Sequence, residues 1–579
     1  MSNQANWTEV ALESSLDQRR LVTLKLDDHQ LVLGRSEESG IFALDNRCPH
    51  EGYPLAQGDL KGCELTCVWH NWKFKVSDGS CILGGEGVRS YPVRVRDGGV
   101  EVDLADPDPA ELQGKLLESL EEGLFRYDNG RVFRDVARLL QADYPAAELA
   151  ADVVAYDALH AEYGSTHTLA VAADSLRFLD RYPRTDALYA LAPALDICGE
   201  TNQRMPARAI PAAVECPVDE TGAELRRAVE AEDAERAEGL LRGAFRAGVS
   251  RTRIEEWMYA ALSDHFLSFG HPLIYMVKSQ ELLALAGETH AEEILAGQLY
   301  GTILSTREDT LPYMKAYSDR LKEIESELPD LWRRADGSVP ADPVAIRNAV
   351  LDGNSGEAFD AVLDALRAGA SPTDIACALV GAAAHRLLRF DDRLDHSPEV
   401  VETWIWVTHR FTFASAVRNA IQRFSSPDAL RFLFQTVAFT HSGRGMDLAE
   451  SERYVVEPEQ AGVQELLFAV ASRDAHTAVN RAAGYLASNE DKSELKQTLE
   501  DLCLADPVVR PIVVAHVLKT TVAAWEEFEA LDGHVDQNIS LLAAIRLLAS
   551  PVVERRVHEL AGRSLDWVVD GVMPKKLTQ

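Results

Sequence analysis

The sequence predicts a multidomain protein. A small all-β domain at residues 1–106 precedes a large all-α domain at 110–579 with helix-pair repeats. Three observations predict this. The 579 residues exceed what one ordinary core holds. Apolar residues alternate in the first hundred positions and recur at helical spacing afterwards. The run Asp106-Pro107-Asp108-Pro109 between them is a stiff, polar break.

The β elements come first. Leu21-Val22-Thr23-Leu24-Lys25-Leu26 alternates, a turn is expected at Asp27-Asp28, and Leu31-Val32-Leu33 returns. Ile41-Phe42-Ala43-Leu44 is the next strand. Tyr91–Arg96 and Val100–Leu104 flank Asp97-Gly98-Gly99, a hairpin signal. A small antiparallel barrel or sandwich is expected. Beyond Pro109, Ala110–Leu117 and Val136–Leu140 have helical spacing, and few strands are legible up to residue 579. A weak repeat aligns Arg246–Ile254 with Arg367–Ile375 at six of nine positions. Each copy opens a helix with a Ser/Thr-rich cap and runs to a histidine, His265 or His385. Ala146 to His160 has a similar rhythm, and His167, His271 and His409 follow the three units.

Two short motifs carry chemistry in the β region. Cys48-Pro49-His50 and Cys67-Val68-Trp69-His70 are separated by sixteen residues. Two thiolates and two imidazoles in two loops can hold a [2Fe–2S] cluster, with Cys on one iron and His on the other. A structural zinc site is the competing use of Cys₂His₂. With Gly52, Gly58, Asn71-Trp72-Lys73-Phe74 and Asp78-Gly79, this stretch resembles the Rieske iron–sulfur family over roughly the first hundred residues. The resemblance implies that Cys48, His50, Cys67 and His70 are the cluster ligands and that the domain transfers single electrons. Imidazole ligands place such centres at roughly −150 to +300 mV, against about −400 mV for all-cysteine plant-type clusters. Respiratory-type members carry a disulfide between the two loops. Tyr53 and Trp69 stand at the corresponding positions, which is the pattern of the ferredoxin and oxygenase branch. Cys63 and Cys81 remain as free, buried thiols.

Composition narrows the classes. A formal net charge of −34 argues against nucleic acid and anionic membrane partners. No apolar run approaches membrane-spanning length. Met1 to Asn6 shows no basic region leading into an apolar stretch, so no signal peptide is expected. Eight cysteines in 579 residues suit a reduced, cytoplasmic protein. A homo-oligomer is compatible with all of this.

Histidines form the second constellation. His167, His271, His409 and His516 lie in apolar helical settings, where a neutral imidazole needs a hydrogen-bond partner or a metal. Facing helices build such sites, and imidazole suits iron. Lys519 follows His516 by three residues, so both project from one helix face. Burial would make its amine nucleophilic and open to CO₂, whereas a snorkelling lysine would reach solvent. His167–Ala170, Gly270–Ile274, Thr408-His409 with Ala414–Arg418, and His516–Lys519 resemble segments of the questin-oxidase-like proteins. That resemblance implies a helical non-haem iron oxygenase acting on aromatic polyketides, with histidines and a carboxylated lysine at the metal. The fused Rieske domain departs from that family.

Asp157, His160 and His167 offer a different ligand set. They approach the D-x-x-H-x-x-x-x-H pattern of Rieske aromatic-ring oxygenases, but six residues rather than four separate the histidines. His160, His265 and His385 are alternatively donors that orient ligands.

The expected function is that of a Rieske-type non-haem iron oxygenase. A reductase or ferredoxin would supply electrons to the [2Fe–2S] cluster. His167, His271, His409, His516 and Lys519 would hold a mononuclear Fe(II). Dioxygen would oxidise an apolar, aromatic or polyketide-like small molecule near Tyr156, Tyr163, Phe266, Trp404 and Trp406. The alternative is a Rieske electron carrier fused to a helical partner-binding scaffold. A hydrolase using a carboxylated lysine would leave the cluster without a purpose.

Overall fold

A computed structural model describes residues 6–16, 21–26, 29–396, 404–489, 491–505 and 510–550. The expected turn at Asp27-Asp28 lies outside them. The chain divides into two compact units, Met1–Pro145 and Ala146–Gln579.

The first unit holds three antiparallel sheets. One joins β1 (Trp7–Leu12), β11 (Gly99–Asp103) and β10 (Val93–Arg96). Another joins β2 (Leu21–Leu26), β3 (His29–Ser36), β4 (Gly40–Asp45) and β9 (Ser90–Tyr91). A third joins β5 (Asp59–Lys61), β6 (Glu64–Thr66), β7 (Lys73–Lys75) and β8 (Cys81–Leu83). The β10–β11 hairpin forms where the sequence predicts it. Asp97 and Gly98 both take positive φ, as a tight turn between right-twisted strands requires. Val32, Leu44, Leu55, Leu65 and Phe74 are fully buried in a core that also takes in Cys48 and Cys67.

After a single short helix at Glu13–Leu16, the long helices start at Pro109, the last residue of the polar break, with Asp108 as the N-cap. Yet the compact unit ends only at Pro145. The helices Pro109–Arg126 and Asn129–Gln141 stay with the strands because buried Glu86, before β9, pairs with Arg134 and Arg138 of the second helix.

The second unit is helical. The repeat-like segments are equivalent in their caps. Ser250 accepts from Arg253 N and Ser371 from Asp374 N. They differ at the far end. The first helix stops at Ser263, short of His265, while His385 lies inside the helix Pro372–Arg389. Among the described residues no helix is long and apolar enough to cross a membrane.

Four helices close a ring. They are His167–Ser175, His271–Ala286, Trp404–Arg423 and Pro511–Ala530. The first packs on the second, the second on the third, the third on the fourth, and the fourth on the first. Each is apolar nearly all round, as expected of a helix enclosed by others.

Leu65 is fully buried beside both cysteines. Leu65→Ala is expected to destabilise the first unit by about 2–5 kcal/mol. Denaturant titration, followed by the visible absorbance of the bound cluster, checks it.

Candidate metal centres

The two cysteine–histidine loops are built alike. The first follows β4 and the second joins β6 to β7. Cys48 N donates to Tyr53 O at 2.9 Å, and Cys67 N donates to Trp72 O at 2.7 Å. Each loop thus closes on the fifth residue after its cysteine. The fourth residue takes positive φ in both, Gly52 at 74° and Asn71 at 61°. Glycine has no steric penalty there, and asparagine tolerates it better than most residues. His50 Nδ1 and His70 Nδ1 then lie 3.0 Å apart. Both thiols are buried, and burial next to Cys67 pushes the Cys48 thiol up to about 11. A bound cation would reverse that preference and favour the thiolate. His50 is half-buried and His70 exposed, so the imidazole side faces solvent.

Aromatic rings frame these loops. Trp72 stacks on His50 with centroids 4.8 Å apart, and Tyr53 stacks on Trp69 at 6.0 Å. The positions that could have carried a disulfide are therefore filled by a ring pair. Cys63 and Cys81 are free and half-buried, packed against the same core.

The second centre lies in the helical ring. His167, His271, His409 and His516 each come from a different helix, and their ligating nitrogens all lie within 4.8 Å of one another. Neighbouring Nε2 atoms are 3.2 Å apart for His167 and His271, 2.8 Å for His271 and His409, and 3.1 Å for His409 and His516. A metal about 2.1 Å from each nitrogen would separate adjacent ligands by about 3.0–3.4 Å. Lys519 Nζ lies 3.1 Å from His409 Nε2.

The far side fixes the tautomer of two rings. His271 Nδ1 faces Ser268 O at 2.6 Å, and His516 Nδ1 faces Ile512 O at 2.5 Å. A carbonyl only accepts, so both Nδ1 atoms carry the proton and both Nε2 atoms present lone pairs. His167 Nδ1 meets Tyr275 Oη at 3.3 Å. His409 Nδ1 has no hydrogen-bond partner among the described residues. Burial, reinforced by the Lys519 charge, holds all four imidazoles below their usual range, His271 at about 3. Burial also brings the Lys519 amine down to about 7. The fixed lone pairs of His271 and His516 both face His409 Nε2, a place where either its own proton or a cation is held.

Local sequence sets each ring. His167 opens its helix behind Thr166, whose hydroxyl accepts from Thr168 N and donates to buried Asp157. Asp157 also accepts from Thr166 N and from Asn202. His271 follows Ser268, Phe269 and Gly270, all at positive φ. At Gly270 a Cβ would sit 2.2 Å from the Phe413 ring, so only glycine fits. That turn presses Phe269 against His409 and Trp406, with centroids 5.8 and 4.2 Å away. His516 and Lys519 share a face of their helix, as their spacing predicts.

Other sequence candidates are not brought to this cluster. Asp157 holds Thr166, the N-cap of the His167 helix, and is not among the clustered ligating atoms. His160 hydrogen-bonds Tyr156 O in its own helix and stacks on Tyr156. His265 lies between Asp309 and Glu230, and His385 faces Asp536. Of the five aromatics named for a substrate, Phe266 lines a cavity of about 500 Å³. Trp406 packs on Phe269, Trp404 on Phe390, and Tyr163 is exposed. Phe266 also packs on Phe413 and Phe439. Sequence reasoning missed Tyr275, one turn after His271 and so within reach of the same cluster.

Comparison with known proteins bears on the first unit. Residues 6–92 match the family model for the Rieske [2Fe-2S] domain. The chain is 28% identical over 127 residues to a 4beta-methylsterol monooxygenase of Methylococcus capsulatus, covering 20% of this chain and 34% of that one. It is 29% identical over 119 residues to the terminal oxygenase component of carbazole 1,9a-dioxygenase from Metapseudomonas resinovorans, covering 18% and 31%. It is 28% identical over 94 residues to a ferredoxin component of naphthalene 1,2-dioxygenase/salicylate 5-hydroxylase systems from Ralstonia sp, covering 16% and 89%. The chain therefore spans about a third of the two oxygenase relatives.

Gly270→Ala is expected to displace the turn before His271. Metal content of the helical unit should fall several-fold while helical circular dichroism is retained, which elemental analysis of purified protein checks.

Proposed function

Residues 6–92 being a Rieske [2Fe-2S] domain, we propose that the protein is a non-haem iron oxygenase. Its cluster would pass electrons from a reductase or ferredoxin to an iron held in the helical unit. The observation that carries this is the convergence of four neutral histidines from four helices, with Lys519 beside them. The choice of metal follows from the electrons. Zinc is redox-inert, so a one-electron donor in the same chain favours iron. At the cluster, Cys48 and Cys67 would be the thiolate ligands, and His50 and His70 the imidazoles.

When bound, the iron would activate dioxygen with cluster-supplied electrons. The chain's own residues supply the rest. Ser268 O, Ile512 O and the Tyr275 hydroxyl fix ring orientation, as outer partners of ligating histidines do. Phe269 and Trp406 exclude water from one side. The Lys519 amine is placed to add to CO₂, forming an N–C bond and releasing one proton. The resulting carbamate would be the anionic ligand that four imidazoles lack. The cavity that Phe266 lines has the volume of a small-molecule site, and its walls also carry Arg226, Glu230, Asp264 and Arg431.

The test is iron per chain in a Cys48→Ser, Cys67→Ser variant purified without oxygen. About one iron should remain. Adding His271→Ala or His409→Ala should remove it and abolish oxygen consumption in the otherwise intact protein. A folded variant without iron would leave the chain an electron carrier.

A further inference from the structure

Two turns along the same helices lies a second layer. Asp174 follows His167 by seven residues, Lys278 follows His271 by seven, and Glu526 follows Lys519 by seven. At 1.5 Å per residue this layer sits about 10 Å along the ring. Lys278 Nζ lies 2.7 Å from Asp174, 2.9 Å from Glu281 and 3.3 Å from Glu526. The three carboxylates could hold a metal ion, but the Lys278 ammonium already occupies their centre. Arg177 pairs with Glu526 and Glu281, and Arg423 lies 3.6 Å from Glu281. Arg177 is 44% exposed and Arg423 34%, whereas Asp174 is fully buried. The layer therefore runs from solvent to the middle of the ring.

Between the layers is a small cavity. Its walls include Lys519 on the histidine side and Lys278 and Glu526 on the other. It exists because Ala170, Ala416 and Ala523 stand where larger side chains would fill the space. Its volume of about 20 Å³ suffices for one water. Ser415, Thr412 and Asn419 add polar groups to the wall.

We propose that the Asp174–Lys278–Glu526 layer is the proton-entry path of the oxygen-reducing centre, handing protons through this cavity to the Lys519 face of the four histidines. The inference rests on the oxygenase reading. Each electron given to dioxygen must be matched by a proton, and the aromatic wall of Phe269 and Trp406 keeps bulk water away on another side. Asp174 suits the role. Burial raises it to about 7, against the pull of Lys278, so it exchanges protons near neutrality. The groups that bias it are Lys278, Glu526, Glu281 and Arg177. On the cavity's far side the only charged group among the described lining residues is Lys519.

The test uses the full-length holoprotein, reduced without oxygen, freed of reductant and mixed with dioxygen in weakly buffered indicator dye. Two electrons, one from each metal centre, and two protons from the medium convert one O₂ to one H₂O₂, so dye absorbance reports proton uptake. Asp174→Asn should slow uptake at least about tenfold, the modest end of positioned proton transfer, and Asp174→Glu should restore it. Ala416→Val, which fills the cavity without changing a charge, should slow it likewise. Iron per chain should stay as in wild type, and both slowed variants, though lower in melting temperature, should be folded at the assay temperature. Unchanged rates in Asp174→Asn and Ala416→Val with iron retained would overturn the path alone. If Asp174→Asn does not bind iron, the Ala416→Val result decides. Wild-type protein with no iron in its helical unit would overturn the oxygenase reading and the path with it.

Discussion

The helical unit is arranged around one convergence, four imidazoles from four helices whose ligating nitrogens lie within 4.8 Å of one another. Protonating one ring would relieve the repulsion of facing lone pairs, but burial and the Lys519 charge oppose it. Turning a ring would break its bond to Ser268 O or Ile512 O. Two reliefs remain, a cation among the rings or the His409 proton placed on Nε2, since His409 Nδ1 has no partner among the described residues. Everything that looks costly nearby serves the convergence: three consecutive residues at positive φ before His271, a fully buried carboxylate spent on holding the N-cap of the His167 helix, and a glycine that no other residue can replace.

The two centres use opposite strategies, which follow from what each must do. A cluster that trades electrons with a separate protein needs an exposed edge. It is held by two short loops whose geometry comes from backbone hydrogen bonds and left-handed turns. The oxygen chemistry proposed for the second centre calls for fixed geometry, and its four histidines come from helices that enclose them. The loops hold ligands a few residues apart in sequence. The ring holds ligands 104, 138 and 107 residues apart.

That contrast explains what the sequence discloses. Cys48-Pro49-His50 and Cys67 to His70 are legible because the chemistry demands local spacing, and the strand alternation around them is equally local. His167, His271, His409 and His516 are legible only through their apolar surroundings, since separation along the chain carries no spacing rule. Asp157 was misleading for a physical reason. A buried carboxylate near two histidines matches a ligand motif, but its oxygens are consumed by Thr166 and Asn202. The domain boundary was obscured differently. The polar break marks where the long helices begin, while Glu86 and its two arginines bind the first two to the strands. The ionic layer left a signal that periodicity alone could have found, namely a charge seven residues after a ligand candidate in three apolar helices.

Charge balance gives Lys519 its meaning. Four neutral imidazoles leave a divalent cation uncompensated in a medium where an unpaired charge costs several kcal/mol. Among the described residues no carboxylate joins the four histidine nitrogens in their cluster. Asp157 is turned toward the Thr166 cap, and Asp174 is bound to Lys278 two turns away. A protonated lysine beside the metal would worsen the imbalance, and a neutral amine would leave it. A carbamate on the same nitrogen corrects it without moving the backbone, and it needs a lysine whose amine is already neutral near physiological pH. Deep burial at Lys519 provides that. The acidic layer is then far enough away to exchange protons without competing for the metal.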